Sequence, residues 1–189
     1  METFHEDKVF EKIVYAGKDV KNREFERCTF KQCDLANSDF TNGRFTDCKF
    51  IDCNLTLVKF KGAVLDNVQF TGCKLVGINF SECRDFLLSV EFSACILDLS
   101  SFMGKNMSKT HFANTSLKEV NFVRTNLSQA QFENTNLEGA IFNDTLLKEA
   151  DLLTAFNFYI DIELNDIKKA KFTTSGALSL LAKYELIVE

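Results

Sequence analysis

The sequence predicts an all-β fold, a four-sided β-helix solenoid, from three observations. A large apolar residue recurs at every fifth position, a small residue stands two places ahead of most of these, and all seven cysteines fall on that second position. The first series starts at Phe25 and continues through Phe30, Leu35, Phe40, Phe45, Phe50, Leu55, Phe60, Leu65, Phe70, Leu75 and Phe80. It slips by two residues, resumes at Leu87, Phe92, Leu97, Phe102 and Met107, and keeps the interval from Phe112 to Leu152. After a polar lapse at Asn157, Ile162, Ile167 and Phe172 finish it; upstream, Phe10, Tyr15 and Val20 hold the same phase. A period of five fits neither a helix nor a strand. It needs a backbone that turns a corner every fifth residue, so four sides make a coil of about twenty residues stacked on the next at strand spacing.

The second series supports the same geometry. Cys28, Cys33, Ser38, Gly43, Cys48 and Cys53 open it, and Thr115, Val120, Thr125, Ala130, Thr135 and Ala140 are typical of its later part. Small side chains suit a second inward position in a narrow coil, and chance would place only roughly one cysteine in five there. No proline and only 8 glycines leave no obvious linker in the 189 residues. The expected organisation is an N-terminal arm and cap over 1–19, the β-helix over 20–172 with a two-residue register break near 84–88, and a C-terminal capping segment over 173–189.

The triplets Thr125-Asn126-Leu127, Thr135-Asn136-Leu137 and Ala150-Asp151-Leu152 carry a resemblance. They are similar to the unit Ala-(Asp/Asn)-Leu-x-x of the pentapeptide-repeat family, and the likeness covers about residues 20–172. It implies a right-handed quadrilateral β-helix with Phe and Leu stacked inside. Residues 7–50 and the tail from Gly176 to Glu189 further resemble the beginning and ending of Qnr-type quinolone-resistance proteins. That likeness implies a non-enzymatic binding protein whose partner is DNA gyrase or topoisomerase IV, acting as a DNA mimic in antibiotic resistance, and a homodimer formed by a short C-terminal helix and strand. Ala177, Leu178, Leu180, Leu181 and Tyr184 have helical spacing, and Leu186, Ile187 and Val188 suit a strand. The candidate dimer interface is therefore Leu178, Leu180, Leu181, Tyr184, Leu186 and Val188, in a tail that either caps the last coil or also joins two copies. Many Qnr proteins carry inserted loops between coils; here the register breaks once, by two residues.

Little in the residues suggests catalysis. No Cys-x-x-Cys occurs, and cysteines spaced by twenty, such as Cys33, Cys53 and Cys73, form a vertical packing column rather than a metal site. His5, in the arm, and His111, beside the centre Phe112, are expected as solvated surface residues. Phosphate-loop and nucleophile-elbow motifs are absent. Carboxylate pairs such as Glu24/Glu26 flank a centre on an open side, where nothing excludes water. No catalytic residue, cofactor or metal is therefore expected.

The net charge of −5, from 27 acidic and 22 basic residues, argues against direct nucleic-acid binding. It also limits mimicry. About 7.5 coils span about 36 Å at about 4.8 Å per layer, and duplex DNA of that length carries about 21 negative charges. The side centred on Phe40 and Phe60 carries Asp39, Glu82, Asp144, Asp161 and Glu163 but also Lys59, Lys61 and Arg124. The shape of a duplex follows from the repeat; its field does not. The N-terminal residues lack a signal-peptide core and no stretch suits a membrane span, so a cytoplasmic protein with reduced thiols is expected. Near the break Phe86 and Leu88 flank the inward Leu87, and on another side at the same level Leu57, Val76, Ile96 and Leu99 point outward; together they are the candidate partner patch. The alternative to a topoisomerase-binding protein is a structural or scaffold module for other protein partners.

Overall fold

A computed structural model describes residues 3–85 and 88–186. Strands β1 (Phe4–Glu6) and β2 (Val9–Glu11) lie in the first coil, β3 (Glu24–Glu26) and β4 (Thr29–Lys31) in the second, and β5 (Arg44–Thr46) and β6 (Lys49–Ile51) in the third. Next come β7 (Val64–Asp66) and β8 (Val68–Thr71), then β9 (Val90–Ser93), β10 (His111–Ala113) and β11 (Gln131–Glu133), one per coil. All pair in parallel, in a four-stranded sheet β1-β3-β5-β7 and a seven-stranded sheet running from β2 to β11. Phe25 stands opposite Phe45 and Phe30 opposite Phe50, the twenty-residue register that four five-residue sides require. The remaining sides are joined by single parallel bridges, such as Val14 to Asp34 to Asn54 and Asp19 to Asp39 to Lys59. The chain is thus an all-β parallel solenoid. Among the described residues its ladder begins at Phe4, within the 1–19 segment expected as arm and cap.

Local chemistry explains the corners. The residue two places after each centre commonly takes positive φ, as at Asn22, Asn37, Asp47 and Asn134. Asn, Asp and Gly dominate there because they tolerate the left-handed conformation at least cost. The Asp or Asn just before a centre stabilises the turn, its carboxyl or amide oxygen accepting the backbone N–H two residues on: Asp34 from Ala36, Asn54 from Thr56, Asn121 from Val123. This is the physical content of the second letter of the repeat.

The interior is a set of ladders. Phe10, Phe30, Phe50, Phe70, Phe92, Phe112 and Phe132 stack with centroids 4.6–5.5 Å apart. Phe40, Phe60, Phe80, Phe102, Phe122 and Phe142 form a second stack. Each fully buried ring contributes about 1.5–3 kcal/mol relative to exposure. His5 is not solvated as expected from sequence. It stands in register with Phe25 and stacks on that ring at 5.1 Å, half-buried at the open end of the aromatic column.

The small column does more than pack. Cys48 Sγ donates to the Phe25 carbonyl, Cys53 to Phe30 and Cys73 to Phe50, each 3.3–3.4 Å away in the coil beneath. Thr125, Thr135 and Thr145 donate through Oγ1 to Phe102, Phe112 and Phe122 at 2.8–3.0 Å. Cys and Thr thus share one task, satisfying a buried carbonyl.

At the break the register between β8 and β9 changes to twenty-two, Val68 pairing with Val90. Arg84 N–H donates to the Ala63 carbonyl and Ser89 N–H to that of Leu65, both at 2.9 Å, so the ladder closes around the bulge. Phe86 and Leu87 lie outside the described residues. The bulge is held by Lys105, a buried lysine in the column of small residues. Its ammonium donates to the Cys83 carbonyl at 2.6 Å and to the Asp85 carboxylate.

The last coil is followed by α1 (Thr174–Ser179), whose N-cap Thr173 accepts the Gly176 N–H at 3.0 Å, and by a turn of 3-10 helix at Ala182–Tyr184. Among the described residues no helix is long and apolar enough to cross a membrane.

Candidate interaction surface

Because the interior is filled, any functional chemistry lies on the outer sides. The structure brings four of the six patch residues together on one side. Ile96 bridges to Lys74, and Leu57, Gly77 and Leu99 occupy the same corner in three consecutive coils, with Val76 beside Gly77. A Cβ on Gly77 would meet Leu57 Cδ2 at 2.7 Å, so Gly77 leaves the space that the leucine covers. Leu57, Ile96 and Leu99 are 52%, 43% and 59% exposed, and Val76 is half-buried. Leu88 does not join them: it lies at the bulge on another side, half-buried against the core. Phe86 falls outside the described residues.

Leu57 and Leu99 combine two unfavourable features. Each holds a bulky side chain at positive φ, 56° and 63°, where the other non-glycine corners among the described residues carry polar groups or the small Ala94. Such a conformation costs about 1–2 kcal/mol outside glycine, and the side chain then lies in water.

The tail residues differ in burial. Leu180 is buried in the core cluster and Leu181 is half-buried, whereas Leu178, Tyr184 and Leu186 are exposed. Val188 lies outside the described residues. Lys183 donates to Asp161 at 2.7 Å and to Glu163 at 2.9 Å, and the Tyr184 hydroxyl donates to Glu163 at 2.7 Å. Lys183 holds both carboxyls below their ordinary range, with Tyr184 adding to the effect at Glu163. Around this cap the last coils expose Ile141, Leu146, Leu153, Phe156, Tyr159 and Leu164.

The cysteines are free and buried. Burial pushes the Cys48 and Cys83 thiols up to about 12, so both stay protonated near neutrality, and Cys48 keeps its bond to the Phe25 carbonyl. Among the described residues no group of three His, Cys, Asp or Glu side chains could hold a metal ion. His111 is outward, as expected, with Nε2 3.1 Å from Glu133. The Glu24/Glu26 pair lies on open β3, where Glu26 binds Arg27, which also binds Glu6 and Asp7. The side with Asp39 and Lys59 mixes charge: Lys21 reaches Asp19 at 2.8 Å and Asp39 at 3.4 Å.

Sequence reasoning missed Lys105. The signal was present, since a lysine in a column of Gly43, Ala63, Cys83, Thr125 and Thr145 breaks the rule of small residues one coil after the register slips.

Stacked parallel coils, an aromatic interior and chemistry confined to the outside define a β-solenoid repeat protein. The sequence matches the pentapeptide repeat region over residues 23–84 and 86–152, so the chain belongs to the pentapeptide-repeat family. The two matched blocks meet at the bulge. No curated protein matches the chain by sequence. Among solved structures it is similar to trypsin-treated QnrB1, a plasmid-mediated fluoroquinolone resistance protein, with TM-score 0.56, 18% identity, and coverage of 100% of this chain and 99% of that one. It is also similar to HetL of the cyanobacterium Nostoc sp. strain PCC 7120, a pentapeptide repeat protein involved in heterocyst differentiation regulation. That match has TM-score 0.63 and 14% identity, covering 90% of this chain and 88% of that one. Likeness at this identity establishes the shared fold.

Proposed function

We propose that the protein is a non-enzymatic protein-binding module that docks through the side carrying Leu57, Val76, Ile96 and Leu99. The observation that carries this reading is the pair of exposed leucines at strained corners, on a scaffold too regular to need them there. The proposed partner is a type II topoisomerase, DNA gyrase or topoisomerase IV. The Qnr-like beginning and ending of the sequence motivate that choice, and so does the fold shared with a fluoroquinolone resistance protein. An apolar patch on a mixed-charge rod favours docking by shape and burial over imitation of the field of DNA. The exposed tail residues Leu178, Tyr184 and Leu186, with the apolar ring on the last coils, support a homodimer joined at the C-terminal end.

A supercoiling assay with purified gyrase and a fluoroquinolone tests the partner. Added protein is expected to change gyrase activity or its drug inhibition, and Leu57→Asn with Leu99→Asn to remove most of that effect. No change on adding the wild-type protein would contradict the topoisomerase reading and favour a scaffold for other protein partners.

A further inference from the structure

One side of the solenoid reverses its charge at the register break. The side built on β1, β3, β5 and β7 continues above the bulge through the bridges Asn106 to Asn126 to Leu146 to Asp166. Its outward positions are the residues before, after and two after each centre. Below the break they carry six carboxylates, Glu6, Asp7, Glu24, Glu26, Asp47 and Asp66, against the guanidinium groups of Arg27 and Arg44. Above it they carry Lys109, Lys148, Lys168 and Lys169 against Glu149 and Asp166. The other three sides lack this contrast. Counted the same way, each lies within one charge of neutral below the break and is net negative above it.

The arrangement is centred. Four levels, starting at Phe4, Glu24, Arg44 and Val64, lie below the bulge, and four, starting at Asn106, Asn126, Leu146 and Asp166, lie above. A two-fold axis through the bulge, lying in the plane of this side and perpendicular to the solenoid axis, brings each acidic level opposite a level of the other half on a second copy. Glu24 and Glu26 then face Lys148, Asp66 faces Lys109, and Glu6 and Asp7 face Lys168 and Lys169. Such a contact is isologous and closes on itself.

The geometry points to a second copy of this chain as the partner for this side, laid antiparallel with the two bulges together. The contact uses neither the tail nor the Leu57 corner. Its exposed ion pairs set orientation and encounter more than affinity, so the association is weak and sensitive to salt.

Charge exchange tests it without disturbing the fold. Glu24, Asp66, Lys109 and Lys148 are solvent-accessible, and no ion pair within the chain engages them among the described residues. Sedimentation equilibrium at about 50 mM salt is run on the wild type, on Lys109→Glu with Lys148→Glu, and on Glu24→Lys with Asp66→Lys. Each double variant is expected to self-associate about tenfold more weakly than the wild type. An equimolar mixture of the two is expected to recover the association, and about 0.5 M salt to abolish it. The tail is intact in all these species, and Leu178→Glu, which tests the tail contact, should leave the charge-exchange pattern in place. Variants that associate like the wild type, or a mixture that fails to recover, would overturn the proposal.

Discussion

Two coils below the register break carry three inward phenylalanines each, whereas the coils from Leu65 to Phe142 carry two. Phe25, Phe30 and Phe40 share one coil and Phe45, Phe50 and Phe60 the next, whereas Leu127 and Leu137 alternate with Phe132 and Phe142 farther up. The backbone differs as well. In the lower half two adjacent sides are true strands, and edge-on rings meet across the corner, Phe25 on Phe30 at 5.3 Å. In the upper half the first of those sides shrinks to single bridges, and the corner is drawn into a tight turn with Thr110 N–H on the Met107 carbonyl and Ala130 N–H on Leu127. One five-residue period therefore supports two corner geometries. The corner after Phe25 and Phe45 is open and the one after Met107 and Leu127 is tight, while Leu65 keeps the open form. The strand geometry persists one coil beyond the last triple, at Leu65, and changes at the bulge.

The largest expected effect tests that contrast in the core. Phe50→Ala, in the middle of the longer stack, should cost about 3–5 kcal/mol, while Leu127→Ala should cost about 2–5 kcal/mol with the turn retained. Denaturant titration of the two variants checks the order; equal losses would mean that the extra rings do not hold the lower half together.

Next is the joint between the halves. Lys105→Met leaves the Cys83 carbonyl without its donor and Asp85 without its partner, a loss of about 1–3 kcal/mol. Hydrogen exchange should show the extra opening at Arg84 and Ser89 first. Protection unchanged there would show that the lysine is incidental to the bulge.

A smaller effect belongs to the cap. Asp161 and Glu163 have lowered values in the folded chain, so their contribution is present above the ordinary values of 3.8 and 4.5 and is lost as pH falls through the lower folded ones. Exchange protection at Leu181 and Tyr184 should therefore hold through neutral pH and decline below about pH 4. Protection that declined instead as pH rose through neutrality would contradict the Lys183 anchor.

Much of this was legible in the sequence because the repeat is strict. A ring or leucine every fifth residue identifies the inward positions from Phe25 onward, and the slip after Phe80 locates the bulge. The corner geometry was not legible, since Phe25 and Leu127 occupy equivalent positions in the pattern and each is followed by a phenylalanine across the corner. His5 escaped because a polar ring at an inward position reads as a break in phase until its stack on Phe25 is seen. The patch was legible in outline: by phase Leu57, Val76, Ile96 and Leu99 are outward on one side, and Leu88 falls beside the bulge on another. That cysteine in the lower coils and threonine in the upper ones donate to equivalent carbonyls needed the coil beneath each of them.

The account's central claim is that Leu57 and Leu99 are kept for a partner and not for the fold. A denaturant titration of Leu57→Asn with Leu99→Asn tests it most directly. Asparagine suits the left-handed corner and removes exposed apolar surface, so the variant should unfold at a midpoint equal to or higher than the wild type, by up to about 1 kcal/mol per corner. A midpoint clearly below the wild type would show that the two leucines serve the solenoid itself, and would contradict the claim.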